Sequence, residues 1–236
     1  MRNAINKLSE IGAEREDKRE SIKRSQLIYE ELKREIITGG IQPGDSLVEG
    51  QLAKRFSCSQ APIREACIAL SNEGFLNATP YKGFAVNEIT MKEIKDLYEV
   101  RLLVECATAE MAARNAPSCA DLVEEMDRHI KTQAAGIAPD KLWTFLSSEV
   151  GFHLAVAKAS RNELLSKFVS LTWGRFQQFY FKTLPLRKTK SDPETVKEHS
   201  MILAAIKAQK PEESRKLMSE HILLGRETAL KIYFGL

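Results

Sequence analysis

Four side chains in the second half of the chain have the types and spacing to hold a metal ion. Glu149 and His153 are four residues apart, so on a helix they share a face, and that face also carries Leu142, Leu146 and Val156. His199 shares its face with Val196, Ile202, Leu203 and Ile206, and His221 with Leu217, Met218 and Leu224. A carboxylate turned toward an apolar core is costly unless it is paired or ligated. Three imidazoles and a carboxylate on three inward helix faces can converge on one divalent cation. Imidazole suits Zn, Ni, Cu or Fe, and the carboxylate extends the choice to Mn. The ordinary alternative is that each histidine is a separate, hydrogen-bonded core residue. Spacing alone does not decide, because Glu125 and His129 are also four apart, beside Thr132 and Gln133 on what reads as a solvated face.

The elements that must position these residues are helical. Thr90 is a plausible N-cap for a helix to about Asn115, round which Ile94, Leu97, Tyr98, Arg101, Leu102, Glu105 and Thr108 step. Pro117 breaks it. Further helices are expected over residues 120–134, 141–160, 162–183, 194–209 and 211–232, separated by loops at Gly136–Pro139 and Pro185–Pro193. Short loops between them predict an antiparallel bundle.

The first half reads differently. Gln51 to Phe75 predicts a short helix, a tight turn and a second helix ending at Gly74, with Leu52, Phe56, Ile63, Ala66, Cys67 and Leu70 facing inward. Ser59 suits an N-cap, and Pro62 falls in the first turn. Leu76 to Val86, with Pro80-Tyr81-Lys82-Gly83 in the middle, reads as two strands round a turn. Helix, turn, helix and hairpin together make a winged helix-turn-helix, a module that lays its second helix in the DNA major groove. Ahead of it stand a helix from Ser25 to Thr38, a turn at Ile41–Asp45, and Ser46-x-x-Glu49 as a capping box for the next helix. Residues 1–22, with an unbroken charged run at Glu14–Glu20, read as a mobile arm.

Composition sets bounds. The 236 residues carry a net charge of +3, and over residues 1–90 basic side chains are matched one for one by acidic ones, so bulk charge does not argue for nucleic acid. Local charge does more: Lys54, Arg55, Arg64 and Lys82 sit on or beside the reading elements. Cys58, Cys67, Cys106 and Cys119 form no paired motif, which suits a reducing cytoplasm. No apolar run is long enough for a membrane span, and the charged N-terminus is not expected to be a signal peptide.

These residues also carry a resemblance. From about Ser25 to Ile232 the chain resembles the GntR-type transcription regulators of the FadR subfamily, whose C-terminal ligand-binding domain is the helical FCD type. The first half matches in Ile41-Gln-Pro-Gly-Asp-Ser-Leu, Leu52-Ala, Ala61-Pro-Ile-Arg-Glu-Ala, Leu70-x-x-Glu-Gly and Gly83-Phe-x-Val. The second matches in Tyr98-Glu-Val-Arg-Leu-Leu-Val-Glu105, Phe152-His153, Ala159-Ser-Arg-Asn162, Glu198-His199 and His221-Ile-Leu. The resemblance implies that Glu149, His153, His199 and His221 ligate a divalent metal (Zn, Ni or Mn), with Glu149 standing where the family usually has Asp. It implies a small carboxylate effector, with Arg101 as its charge partner. Fatty acyl-CoA is not expected, because members that bind it lack these histidines. Arg64 is the DNA-contacting arginine, able to read guanine through two hydrogen bonds. Gln60 stands where the family usually has a second base-reading arginine and suits adenine better. Ala61 replaces a threonine, and Ser59 can bond a phosphate. Lys82 and Gly83 form the wing tip. Ser57 replaces a turn glycine, at a cost of roughly 1–2 kcal/mol if its backbone is left-handed.

The expected molecule is mostly α. A charged arm (1–22) precedes a winged helix-turn-helix DNA-binding domain (23–90) and an all-helical FCD domain of six or seven helices (91–236) that binds effector and dimerises. The expected function is cytoplasmic transcription regulation by a homodimer on a near-palindromic double-stranded operator. Two rivals share the same residues: a regulator for which the ion itself is the signal, and a DNA-tethered metalloenzyme, against which stand the missing HExxH and nucleophile motifs.

Overall fold

The computed structural model describes residues 22–79, 83–135, 141–186 and 193–234, which divide into two compact units on either side of the Glu88–Ile89 bond. The expected N-terminal arm, apart from Ile22, lies outside the described residues, as does Lys82.

In the first unit, helix α1 (22–38) buries Ile28, Leu32, Ile36 and Ile37 along one face. Helices α2 (Glu49–Arg55) and α3 (Gln60–Asn72) follow, with Leu52 inward from α2 and Ile63, Ala66, Cys67 and Leu70 inward from α3. Tyr29 Oη donates to Glu73, and Lys33 Nζ donates to the same carboxylate at 2.6 Å, tying α1 to the end of α3. Burial pushes the Cys67 thiol up to about 12, which leaves it an inert core group.

The sheet has three strands rather than two. Strands β1 (Ser46–Leu47), β2 (Leu76–Thr79) and β3 (Gly83–Val86) pair antiparallel in the order β1-β3-β2. The capping box expected at Ser46 is therefore not formed. Ser46 pairs with Ala85 in the sheet, and Val48 occupies the N-cap of α2 without a side-chain bond. Burial of Leu47 decides this, since strand alternation puts Leu47 in the core and Ser46 outside. Gly83 is required for the close pairing: its φ is +90°, and a Cβ there would stand 2.5 Å from the Leu47 carbonyl oxygen. Ser59 holds the N-cap position of α3 in extended backbone, but its hydroxyl makes no capping bond.

The second unit is a six-helix bundle among the described residues: α4 (Met91–Asn115), α5 (Ala120–Ala134), α6 (Leu142–Ala159), α7 (Glu163–Thr183), α8 (Pro193–Lys207) and α9 (Pro211–Phe234). Thr90 caps α4 by accepting from Glu93 N, and Asn162 caps α7 by accepting from Leu164 N and Leu165 N. Helix α4 packs on α6, α7 and α9, and α5 on α6 and α8. Phe145, Phe152, Trp173, Phe176, Phe179, Ile202 and Met218 fill the centre. Helix α6 buries most of its residues between Phe145 and Ala159, with Ser147 and Lys158 left exposed. Helix α8 ends two residues earlier than the apolar pattern suggested, because Gln209 turns left-handed at φ 54°.

Ser57 adopts φ 50°, the conformation that favours glycine. Replacing it by glycine relieves that strain, partly offset by a more flexible unfolded chain. Ser57→Gly is expected to stabilise the first unit by about 1 kcal/mol, read as a higher midpoint in urea unfolding followed by circular dichroism.

Candidate metal centre and nucleic-acid interface

The inward faces of α6, α8 and α9 bring Glu149, His153, His199 and His221 together, with one ligating atom from each within 4.8 Å of the others. All four are buried. His199 Nε2 lies 3.2 Å from His221 Nε2, which lies 3.3 Å from His153 Nε2. Glu149 Oε1 stands 3.8 Å from His153 Nε2 and 3.9 Å from His199 Nε2. Two nitrogens bonded to one ion at ~2.0–2.1 Å, at octahedral or tetrahedral angles, are roughly 2.9–3.4 Å apart. The nitrogen spacings fall in that range.

The protonation pattern fits the same reading. Each ring has an oxygen beside its other nitrogen. His199 Nδ1 is 2.8 Å from Gln133 Oε1, and His221 Nδ1 is 2.7 Å from Glu198 Oε2. His153 Nδ1 is 2.5 Å from Glu105 Oε2, a close contact that falls short of hydrogen-bond alignment. Oxygen acceptors on the outer side favour protons at Nδ1 and turn bare Nε2 lone pairs on one another. Lone pairs facing lone pairs repel one another until a proton or a cation sits among them, and three such nitrogens with a carboxylate make a donor set that fits a divalent ion. Burial and the neighbouring positive groups hold the His199 imidazole well below its ordinary value. Burial pushes the Glu149 carboxyl up, but His199 and His153 pull it down further, so it stays ionised. His199 and Glu149 are thus in the forms that bind metal, whereas against its burial Glu105 and Glu149 raise the His153 imidazole, so that ring releases a proton when it ligates.

Three supporting residues carried no assigned role in the sequence. Gln133, read there as solvated, is fully buried. Its Nε2 donates to Glu149 Oε2 at 3.3 Å while its Oε1 faces His199, so one amide orients two ligands. The i, i+4 arithmetic on α5 could not reveal this, because Gln133 meets its partners only when α5 packs on α6 and α8. Glu105 and Glu198 are the other two. Glu198 precedes His199 in the chain yet serves His221, a pairing only the α8–α9 contact makes. His129 also departs from the solvated reading: it is partly buried over Gly151, where a Cβ would lie 2.2 Å from its ring.

Arg101 is buried, not on the surface. Its Nε donates to Glu105 Oε1 at 2.5 Å, and its guanidinium carbon lies 4.2 Å from the Trp173 ring centroid. With Tyr98, Glu149, Tyr180, Glu198 and His221 it lines a cavity of about 110 Å³ that borders the ligand set.

In the first unit, Ser59, Gln60, Ala61 and Arg64 are exposed on α3. Gln60 and Arg64 line a shallow groove with Glu49, Thr79 and Gly83 of the wing. Arg64 Nε donates to Glu49 Oε1 at 3.0 Å. Arg55 is turned away from this groove by its bonds to Glu35 and Glu31 of α1.

Zinc at a free concentration 1,000 times its Kd is expected to stabilise the chain by about 4 kcal/mol. His199→Ala should remove most of that gain, read as the shift in thermal midpoint on adding zinc and then EDTA.

Comparison with known proteins identifies the two units. Residues 96–224 match the FCD domain, and residues 24–86 match the gntR family of bacterial regulatory proteins. The HTH-type transcriptional regulator LutR of Bacillus subtilis is 30% identical over 218 residues, covering 84% of this chain and 97% of that protein. The regulator YdhC of the same organism is 36% identical over 88 residues, a match spanning 37% of this chain and 39% of that protein. The solved structure of Escherichia coli McbR/YncC shares the fold, with a TM-score of 0.73 at 22% identity over 89% of this chain and 98% of that one. The chain belongs to the GntR family of bacterial DNA-binding transcription regulators, with an FCD domain as its C-terminal unit.

Proposed function

We propose that this regulator senses a small carboxylate in its C-terminal unit, at a divalent ion (Zn, Ni or Mn) held by Glu149, His153, His199 and His221. The observation that carries the reading is the convergence of three imidazole Nε2 atoms and a carboxylate, two of whose residues, Glu149 and His221, line a cavity that Arg101 also lines. A divalent ion supplies a Lewis-acidic seat for one carboxylate oxygen. Arg101 supplies a cation for the same group, strengthened by its dry surroundings. The cavity, at about 110 Å³, is well below the ~300–1,000 Å³ of drug-sized sites, so the effector is a small metabolite. Gly225 supports access: it lies within α9 on the cavity wall, where a Cβ would meet nothing within 4 Å.

Residues 23–90 form the DNA-binding domain and residues 91–236 the effector-binding and dimerisation domain of a cytoplasmic homodimer. Two copies of α3 enter successive major grooves of a near-palindromic operator. Arg64 reads guanine and Gln60 adenine, Ser59 contacts phosphate, Ala61 contributes apolar contact, and Lys82 and Gly83 bring the wing to the backbone. The effector acts by binding the DNA-competent and DNA-incompetent states with different affinity, and that difference shifts operator occupancy. Among the described residues no helix is long and apolar enough to cross a membrane.

The test is thermal stability of zinc-loaded protein against a panel of small carboxylates and sugar acids. An effector at 100 times its Kd should add about 2.7 kcal/mol. The gain should vanish in Gly225→Leu, which fills the cavity while leaving all four ligands in place. No gain with any compound, together with operator binding that tracks free metal, would instead make the ion the signal. Arg64→Ala should cost ~1–3 kcal/mol of discrimination at one guanine per half-site, read by fluorescence anisotropy on matched and substituted operators.

A further inference from the structure

Glu105 is a buried carboxylate that belongs neither to the four-residue ligand set nor to the cavity lining. It sits on α4 with 2% of its surface exposed, one turn beyond Arg101. Its two oxygens face different partners: Oε1 accepts from Arg101 Nε at 2.5 Å, and Oε2 lies 2.5 Å from His153 Nδ1. Arg101 has its guanidinium against Trp173 and Phe176, and the His153 ring lies 4.7 Å from the same Trp173. One carboxylate thus stands between a cation on the cavity wall and a ring of the ligand set.

We propose that Glu105 is a positioning residue for the metal centre, holding the Nδ1–H form of His153 so that its Nε2 faces the ion, and that it shares this carboxylate with Arg101. The proposal rests on the metal reading above. A carboxylate beside the outer nitrogen of a ligating histidine fixes the tautomer and raises the basicity of the inner nitrogen. Glu198 stands in the same relation to His221, and the Gln133 amide oxygen in a neutral version of it to His199. Glu105 differs from both in having a second, cationic partner. Any ligand that draws the guanidinium toward itself leaves Glu105 a stronger acceptor for His153, so anion binding at Arg101 and metal binding favour each other.

The competing explanation is that Glu105 only neutralises Arg101 and meets His153 by proximity. Two variants separate them. Glu105→Met roughly keeps the side-chain size but removes both the charge and the acceptor facing His153. Arg101→Met/Glu105→Met removes the guanidinium as well, so no unpaired cation is left in the core. Zinc affinity is measured on the full chain by competition with a chromophoric chelator, and the d–d absorption of the cobalt-loaded protein reports ligand geometry. Both variants are expected to bind zinc about 10–100-fold more weakly than the parent, with an altered cobalt spectrum. Parental zinc affinity and cobalt spectrum in the double variant would overturn the proposal and reduce Glu105 to a counter-ion. Failure of the parent chain itself to bind zinc or cobalt would instead overturn the metal reading, and this inference with it.

Discussion

Burying charge is the constraint on which the second unit is built. Glu105, Glu149, His153, His199 and His221 are all removed from water at the centre of a six-helix bundle. Each such group costs several kcal/mol unless its lone pairs and protons are matched. The bundle matches the outer atoms with Gln133 from α5, Glu105 and Arg101 from α4, and Glu198 from α8. The inner atoms face one another. Helix α6 carries two of these residues, Glu149 and His153, on its buried face.

The first unit keeps its polar groups outside. Its core is a small apolar set from α1, α3 and the sheet, and α3 presents its reading residues to solvent. Arg64 Nε donates to Glu49 of α2, an ion pair on a mostly exposed arginine that contributes little to stability. Gly83 lets β1 close against β3, and that fixes where the wing begins relative to α2. The two units differ along one physical line: the first leaves its polar side chains exposed, and the second buries a set of them and turns their ring nitrogens on one another.

Much of this was legible in residue order. The bundle followed from 3.6-residue periodicity between Pro and Gly breaks, and the cap at Thr90 was readable because an N-cap is a local hydrogen bond. Where the reading failed, a tertiary partner had overridden a local signal. Ser46 looked like a cap, but Leu47 needed burial in a third strand. Gln133 looked solvated because its neighbour Thr132 is; the helix it packs against made it a core residue that orients two ligands.

The sequence by itself determined the helices and the chemistry they could carry: three histidines and a carboxylate on apolar faces, and an arginine-bearing helix after a tight turn. Periodicity is a property of one helix, so it can say which face a side chain occupies. It cannot say which faces meet. Only the packing of α4, α5, α6, α8 and α9 decided that His199 and His221 approach to 3.2 Å, that Glu198 serves His221 rather than its own neighbour, and that Glu105 reaches His153. Those contacts depend on the crossing of helices far apart in the chain, and pairwise distances between helices are set by the whole core at once.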